Sequence, residues 1–159
     1  MKKKLEKEVL SIDVAESLNR VRIREFYKKE NYHGEPQEKD VVVYVETSGV
    51  IIGATWLTTE EGINLLRGMK VNQKFQRRGI GRKLLEAVTK ELEDKECFCI
   101  PYQHPHLLKF YQAGGFEIQD LNNVPEFLAL RVKKFQKRND GKDYTVMKRM
   151  QKGEGKTGN

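Results

Sequence analysis

Two runs of β-branched and aromatic residues, VVVYVE at 41–46 and VIIGATWL at 50–57, flank the turn-forming TSG and predict a β-hairpin. INLLRGMKV at 63–71 follows TEEG and predicts a third antiparallel strand. The period then changes. Ile80, Leu84, Leu85, Val88 and Leu92 recur at helical spacing with charged residues between them, which predicts an amphipathic helix ending near Asp94. Upstream, residues 14–30 carry an imperfect apolar face of Leu18, Val21, Ile23, Phe26 and Tyr27 and predict another helix.

CFCI at 97–100 reads as a short buried strand stopped by Pro101, and HLLKFYQAGG as a short helix ending on glycine. FEIQ resumes extended structure. PEFLALRVKKFQKR opens on a helix-favouring proline and runs to the Asn139-Asp140-Gly141 turn, after which DYTVMKRM makes a last strand. The pattern predicts one mixed α/β (α+β) domain over residues 1–151, built on a central sheet. Residues 152–159 hold no apolar side chain and are expected to form a disordered tail.

Composition narrows the picture. At 159 residues the chain has the size of one ordinary domain, and 38% hydrophobic with 33% charged residues describes a globular protein. The balance of 30 Lys plus Arg against 23 Asp plus Glu gives a net charge of +7, which favours anionic ligands and weakly disfavours polycationic ones. MKKKLEKEVL has the positive charges of a signal peptide without the apolar stretch that follows them, and no run approaches the roughly 20 apolar residues of a membrane helix. A cytoplasmic protein is expected.

Cys97 and Cys99 sit two apart, a poor spacing for a mutual bridge. With His104 and His106 they form C-x-C followed by H-x-H, which is not a usual structural-zinc spacing, so no metal is expected.

The chemistry concentrates in FQRRGIGRKLLEAV, residues 75–88. Arg77, Arg78 and Arg82 crowd the start of the predicted helix, where free amides and the helix dipole already supply positive charge; an anion would offset them. Gly79 and Gly81 let a ligand approach the main chain, and a diphosphate is the natural occupant. The dinucleotide fingerprint fails because Leu84 stands at its third glycine. The terminal GEGKTGN only imitates a phosphate loop, with Met150 at the first glycine position.

Gln76-Arg77-Arg78-Gly79-Ile80-Gly81 resembles the coenzyme A signature of the GNAT superfamily of acyl-CoA-dependent N-acetyltransferases: Gln or Arg, two residues, Gly, one residue, then Gly or Ala. The preceding MKVNQKF is similar to that family's strand exit, with Gln73 in place of a common proline. LLKFYQAGGFEI, some thirty residues on, resembles its second helix, a tyrosine followed by a Gly-Phe pair. The resemblance implies the GNAT fold, a mostly antiparallel twisted sheet flanked by helices. It also implies an acyltransferase that moves acetyl from acetyl-CoA to a primary amine by direct attack in a ternary complex, a transfer of groups other than aminoacyl groups.

Carried onto this chain, the resemblance assigns the pyrophosphate to amides of Arg78, Gly79, Gly81 and Arg82 within the segment Gln76, Arg77, Arg78, Gly79, Ile80, Gly81, Arg82 and Lys83. Met69 and Val71 present main chain to the pantetheine arm, and an N–H near Val71 polarises the acetyl carbonyl. Tyr111 lies at the coenzyme A sulfur as the acid for the departing thiolate, a role suited to a phenol of ordinary pKa near ~10. Two pairs are candidates for the base, Glu60 with Glu61 and His104 with His106, beside water relayed by carbonyls.

Arg67, Trp56 and Tyr27, with Tyr32 and Tyr44, are candidates for the acceptor pocket. A cation inside an apolar strand such as Arg67 needs a carboxylate, from the protein or from the substrate. The expected partners are acetyl-CoA and a small-molecule or peptide amine, on a monomer or homodimer. The competing reading is an inactive GNAT-fold module that binds acyl-CoA, nucleic acid or protein, for which the basic RVKKFQKR is the feature to weigh; no aromatic-rich RNA motif accompanies it.

Overall fold

The computed structural model describes residues 11–15, 19–139 and 143–150. The elements run β1 (Ser11–Val14), α1 (Arg20–Lys29), β2 (Val41–Thr47), β3 (Val50–Glu60), β4 (Ile63–Val71), α2 (Ile80–Leu92), β5 (Cys97–Cys99), α3 (Pro105–Ala113), β6 (Phe116–Ile118), α4 (Glu126–Arg138) and β7 (Met147–Arg149). The seven strands form one mixed sheet in the order β1-β2-β3-β4-β5-β7-β6. The β4–β5 neighbours are parallel, while β1–β2, β2–β3, β5–β7 and β6–β7 are antiparallel. The mixed α/β fold expected from the sequence is therefore the fold observed.

The differences are local. Val14 closes β1, a strand absent from the sequence reading, and the first helix starts at Arg20 instead of Val14. All four residues of β1 are exposed, and the alternation Ser-Ile-Asp-Val is only four residues long; pairing with Val43 to Glu46 of β2 defines it. The last strand is confined to Met147–Arg149, with Tyr144 contributing one bridge to Tyr102. Asp140, Gly141 and the expected tail at 152–159 lie outside the described residues, as do residues 1–10.

The chain divides into two compact units, Met1–Thr59 with Leu66–Glu91 and Glu60–Leu65 with Leu92–Asn159. In the first, β2 and β3 are buried on both faces, which is why VVVYV reads as a continuous apolar run. One face packs Val42, Tyr44, Ala54 and Trp56 against Ile23, Phe26 and Tyr27 of α1. On the other, Ile80 and Leu84 of α2 come so close to Gly53 that a β-carbon there would meet each at 3.2 Å. Ile80, Leu84, Leu85 and Val88 are all buried, and burial of such side chains contributes about 1.5–3 kcal/mol apiece.

In the second unit, Leu65, Phe98, Leu128, Val132 and Val146 form the core. Arg131 of α4 donates two hydrogen bonds to the Glu60 carboxylate, at 2.7 and 2.8 Å, and lies over the Phe127 ring. That bond raises the pKa of Arg131, against the opposing effect of its partial burial. Arg149 donates to the carbonyls of Glu93 and Lys95 and so satisfies the chain leaving α2.

Candidate functional site

The glycine turn is held from both sides in the first unit. Asn72 leaves β4 with its amide on the Ile52 carbonyl, and its side chain accepts from Lys74 N at 3.0 Å, which winds 73–75 into a single 3-10 turn. This Asn cap organises the exit although Gln73 stands where the family favours proline. The Asn72 amide group also donates to Glu30 at the end of α1, at 2.7 Å. Gln76 then turns back, its Nε2 donating to the Val71 carbonyl at 3.1 Å. The first residue of the signature therefore closes the loop 71–76 onto its own strand.

Arg77 and Gly79 both adopt positive φ, 66° and 79°, and the chain enters α2 with Lys83 N donating to the Gly79 carbonyl. A helix that starts in this way leaves the amides of Ile80, Gly81 and Arg82 without intrahelical acceptors, aimed out of its N-terminal end. A β-carbon at Gly79 would meet nothing within 4 Å, so the main chain faces open space there. The first turn of α2 carries no acidic side chain, and Arg77, Arg78, Arg82 and Lys83 are all exposed around it. Arg78 lies over the Phe75 ring at 5.1 Å. Buried Ile80 anchors this arrangement to β3. Amides, a positive dipole end and exposed cations around a first turn that holds no acidic side chain make a fit for a phosphate group.

Met69 and Val71, at the end of β4, are partly exposed. Just before them, Gly68 takes φ 67° inside the strand. Its carbonyl accepts a buried 2.7 Å hydrogen bond from the Tyr27 hydroxyl, and Trp56 covers its Cα. Tyr27 and Trp56, both expected in the acceptor pocket, are about 1% exposed and pack edge to face at 5.1 Å. They form the floor under β4. Tyr44 is buried in the same cluster, and partly buried Tyr32 packs on both rings.

Arg67 is half-buried and lies over Trp56 at 5.6 Å. Its guanidinium comes within 3.9 Å of the place a β-carbon would take at Gly34. None of the ion pairs among the described residues includes Arg67. Tyr32 and Gly34 also line a cavity of about 520 Å³ with Tyr27, Glu35 and Arg24, the last two paired at 3.6 Å.

The remaining candidates lie in the second unit. Tyr111 is buried on α3, edge to face with Phe110 and Phe116, and Gly114 and Gly115 end its helix by donating to the carbonyls of Tyr111 and Gln112. Glu60 is committed to Arg131, and Glu61 sits exposed in the two-residue turn between β3 and β4. His104 caps α3, its Nδ1 accepting from His106 N. Cys97 and Cys99 are buried on β5; burial, then the neighbouring Cys97, pushes the Cys99 thiol well above its usual range. No group of three His, Cys, Asp or Glu placed to hold a metal occurs among the described residues.

In RVKKFQKR, Val132 packs in the core and Arg131 pairs with Glu60, leaving Lys133 and Lys134 on the exposed face of an amphipathic helix. No helix among the described residues is long and apolar enough to cross a membrane. Asn72, Glu30 and Gly68 were not singled out in the sequence. An Asn two residues before the amide it caps, and a lone glycine inside a strand, are the signals that mark the first and the last; nothing local marks Glu30.

Residues 38–118 match a family model described as an acetyltransferase (GNAT) domain. No curated protein matches the chain. Among solved structures, the ribosomal-protein-S18-alanine N-acetyltransferase of Escherichia coli superposes with a TM-score of 0.64 at 18% identity, over 92% of this chain and 97% of that one. A GNAT family acetyltransferase from Elizabethkingia anophelis, with acetyl-CoA bound, gives 0.59 at 18% identity, over 89% and 97%. The N-acetylglutamate synthase of Neisseria gonorrhoeae, complexed with coenzyme A and N-acetyl-glutamate, gives 0.60 at 16% identity, over 90% of this chain and 35% of that one. At these identities the structural likeness establishes the fold.

Proposed function

The chain belongs to the GNAT acetyltransferase family, and from that premise we propose that it moves an acetyl group from acetyl-CoA to a primary amine by direct attack in a ternary complex. The observation that carries the proposal is the start of α2: out-facing amides at Ile80, Gly81 and Arg82, open space over Gly79, and cations with no acid in the first turn. Amides of Arg78, Gly79, Gly81 and Arg82 hold the diphosphate, while Arg77 and Lys83 add charge. Gln76 fixes the loop and Ile80 seats it. Met69 and Val71 offer main chain to the pantetheine arm, and the Val71 amide polarises the acetyl carbonyl.

The amine nitrogen attacks that carbonyl, the C–N bond forms, and the C–S bond breaks. Tyr111 gives its phenolic proton to the departing thiolate. The amine's own proton passes to water; of the four side-chain candidates for the base Glu60 is held by Arg131, and Glu61, His104 and His106 stand as the alternatives. No acyl-cysteine step is included: Cys97 and Cys99 are buried and the Cys99 thiol resists ionisation. The bound acetyl-CoA of the E. anophelis structure, and the alanine and glutamate named with the other two, support acetyl-CoA as co-substrate and an amino-acid or peptide amine as acceptor.

Titrating acetyl-CoA into the protein by calorimetry, then following release of free CoA thiol with a panel of amines, tests the activity. A saturable heat and amine-dependent release are expected; no heat rejects the reading. Tyr111→Phe is expected to lower kcat by about 100-fold, the lower range for one positioned acid, with acetyl-CoA affinity unchanged. Unchanged turnover in that variant would remove the acid role from Tyr111.

A further inference from the structure

We infer that Arg67 is a specificity-determining residue that binds a carboxylate of the acceptor, so that the amine substrate is a small amino acid in its free, unamidated form. The inference rests on the transferase reading for the reaction but not for the binding. Arg67 occupies a strand whose neighbours Leu65, Leu66 and Gly68 are buried, and half-burial there makes an unpaired cation costly. Among the described residues no carboxylate pairs with it: the ion pairs there join Arg22 to Glu46, Arg24 to Glu35, Arg131 to Glu60 and Lys148 to Glu96.

Its setting is also a built one. The indole of Trp56 supports one side of the guanidinium at 5.6 Å, and Trp56 is itself wedged by Tyr27 and Tyr32. A guanidinium carries N–H groups in a planar fork that suits a two-point contact with a carboxylate. Position 34 is glycine, at φ 111°, and a β-carbon there would meet Tyr32 at 3.8 Å and an Arg67 Nη at 3.9 Å. Gly34 and Tyr32, which flank the guanidinium, also line a neighbouring cavity of about 520 Å³ with Arg24, Glu25, Lys28 and Glu35; Arg67 itself is not in its lining. Arg67 stands four residues before Val71 on β4, so the carboxylate anchor and the proposed acetyl-polarising amide share one strand.

Trp56 is the sole tryptophan of the chain and reports on its own stacking partner. The test therefore begins without acetyl-CoA: α-, β- and γ-amino acids, their N-acetyl products, and the carboxamide of each are titrated while Trp56 emission is followed. A saturable change with free acids, at least about 100-fold weaker with the carboxamides, is expected, because truncating one side of a desolvated charge pair costs a factor of that order. Arg67→Gln should abolish the difference and Arg67→Lys restore part of it, with an unchanged melting temperature. In turnover, Arg67→Gln should raise KM for free acids about 100-fold and leave kcat and acetyl-CoA affinity in place.

Equal response to acids and amides, no response to either, or equal loss on both in Arg67→Gln overturns the inference. A carboxylate-selective, Arg67-dependent signal without acetyl transfer would instead uphold the binding site and refute the proposed reaction.

Discussion

Gly68→Ala is expected to destabilise the protein by about 3–5 kcal/mol and lower its melting temperature by roughly 10 °C. Two costs add. A β-carbon at position 68 would overlap the indole of Trp56, falling against Cζ3 and Cε3 with Cη2 at 2.9 Å. Trp56 has no room to withdraw, since Tyr27, Tyr32 and Arg67 contact it and its exposure is about 1%. The φ of 67° adds about 1–2 kcal/mol for any L side chain. Tyr27→Phe acts on the same glycine by removing the donor to the Gly68 carbonyl, at about 1–3 kcal/mol for a buried acceptor left unsatisfied. Because both act at Gly68, the double variant should lose less than the sum of the two. Thermal unfolding of the three variants checks this. A shift below about 2 °C for Gly68→Ala would mean that Trp56 is not fixed over position 68.

Gly68 shows where sequence reasoning stops. The strands β2 and β3 were legible because their central residues are buried on both faces and read as continuous apolar runs; α2 was legible because its stripe of Ile80, Leu84, Leu85, Val88 and Leu92 keeps the helical period. β1 was not, since its four residues are exposed and its identity lies in pairing with β2. The glycine turn could be read from residue types alone, because free amides follow from any helix start and the absence of acids is a local fact. What braces the turn could not: Glu30 and Asn72 meet across 42 positions.

Aromatic residues were the hardest to place. Tyr27, Trp56 and Tyr32 have the composition of a pocket wall, yet the first two are core and their buried faces carry no signature in the sequence. Arg67 was the reverse case. Its strand context raised the choice between an internal carboxylate and a substrate one, and only the folded chain shows that the internal partner is missing among the described residues.

Gly81→Glu should separate folding from function by moving them in opposite directions. Glycine within a helix costs roughly 0.5–1 kcal/mol relative to a good helix former, and a carboxylate in the first turn gains about 0.3–1 kcal/mol from the dipole. Position 81 is the second residue of α2, surrounded by Arg77, Arg78, Arg82 and Lys83 with no acid among them. The variant is therefore expected to be about 1 kcal/mol more stable than the parent. The same carboxylate would satisfy the amides and cations proposed to hold the diphosphate and would repel that group, so acetyl-CoA affinity should fall by at least about 100-fold. Melting temperature and acetyl-CoA calorimetry on one preparation read both effects. Gly81→Ala is the control, gaining helix propensity without charge and losing less affinity than the glutamate. If Gly81→Glu stabilises the fold and still binds acetyl-CoA with parental affinity, the diphosphate does not sit on the start of α2, and the role given to Arg78, Gly79, Gly81 and Arg82 falls with it.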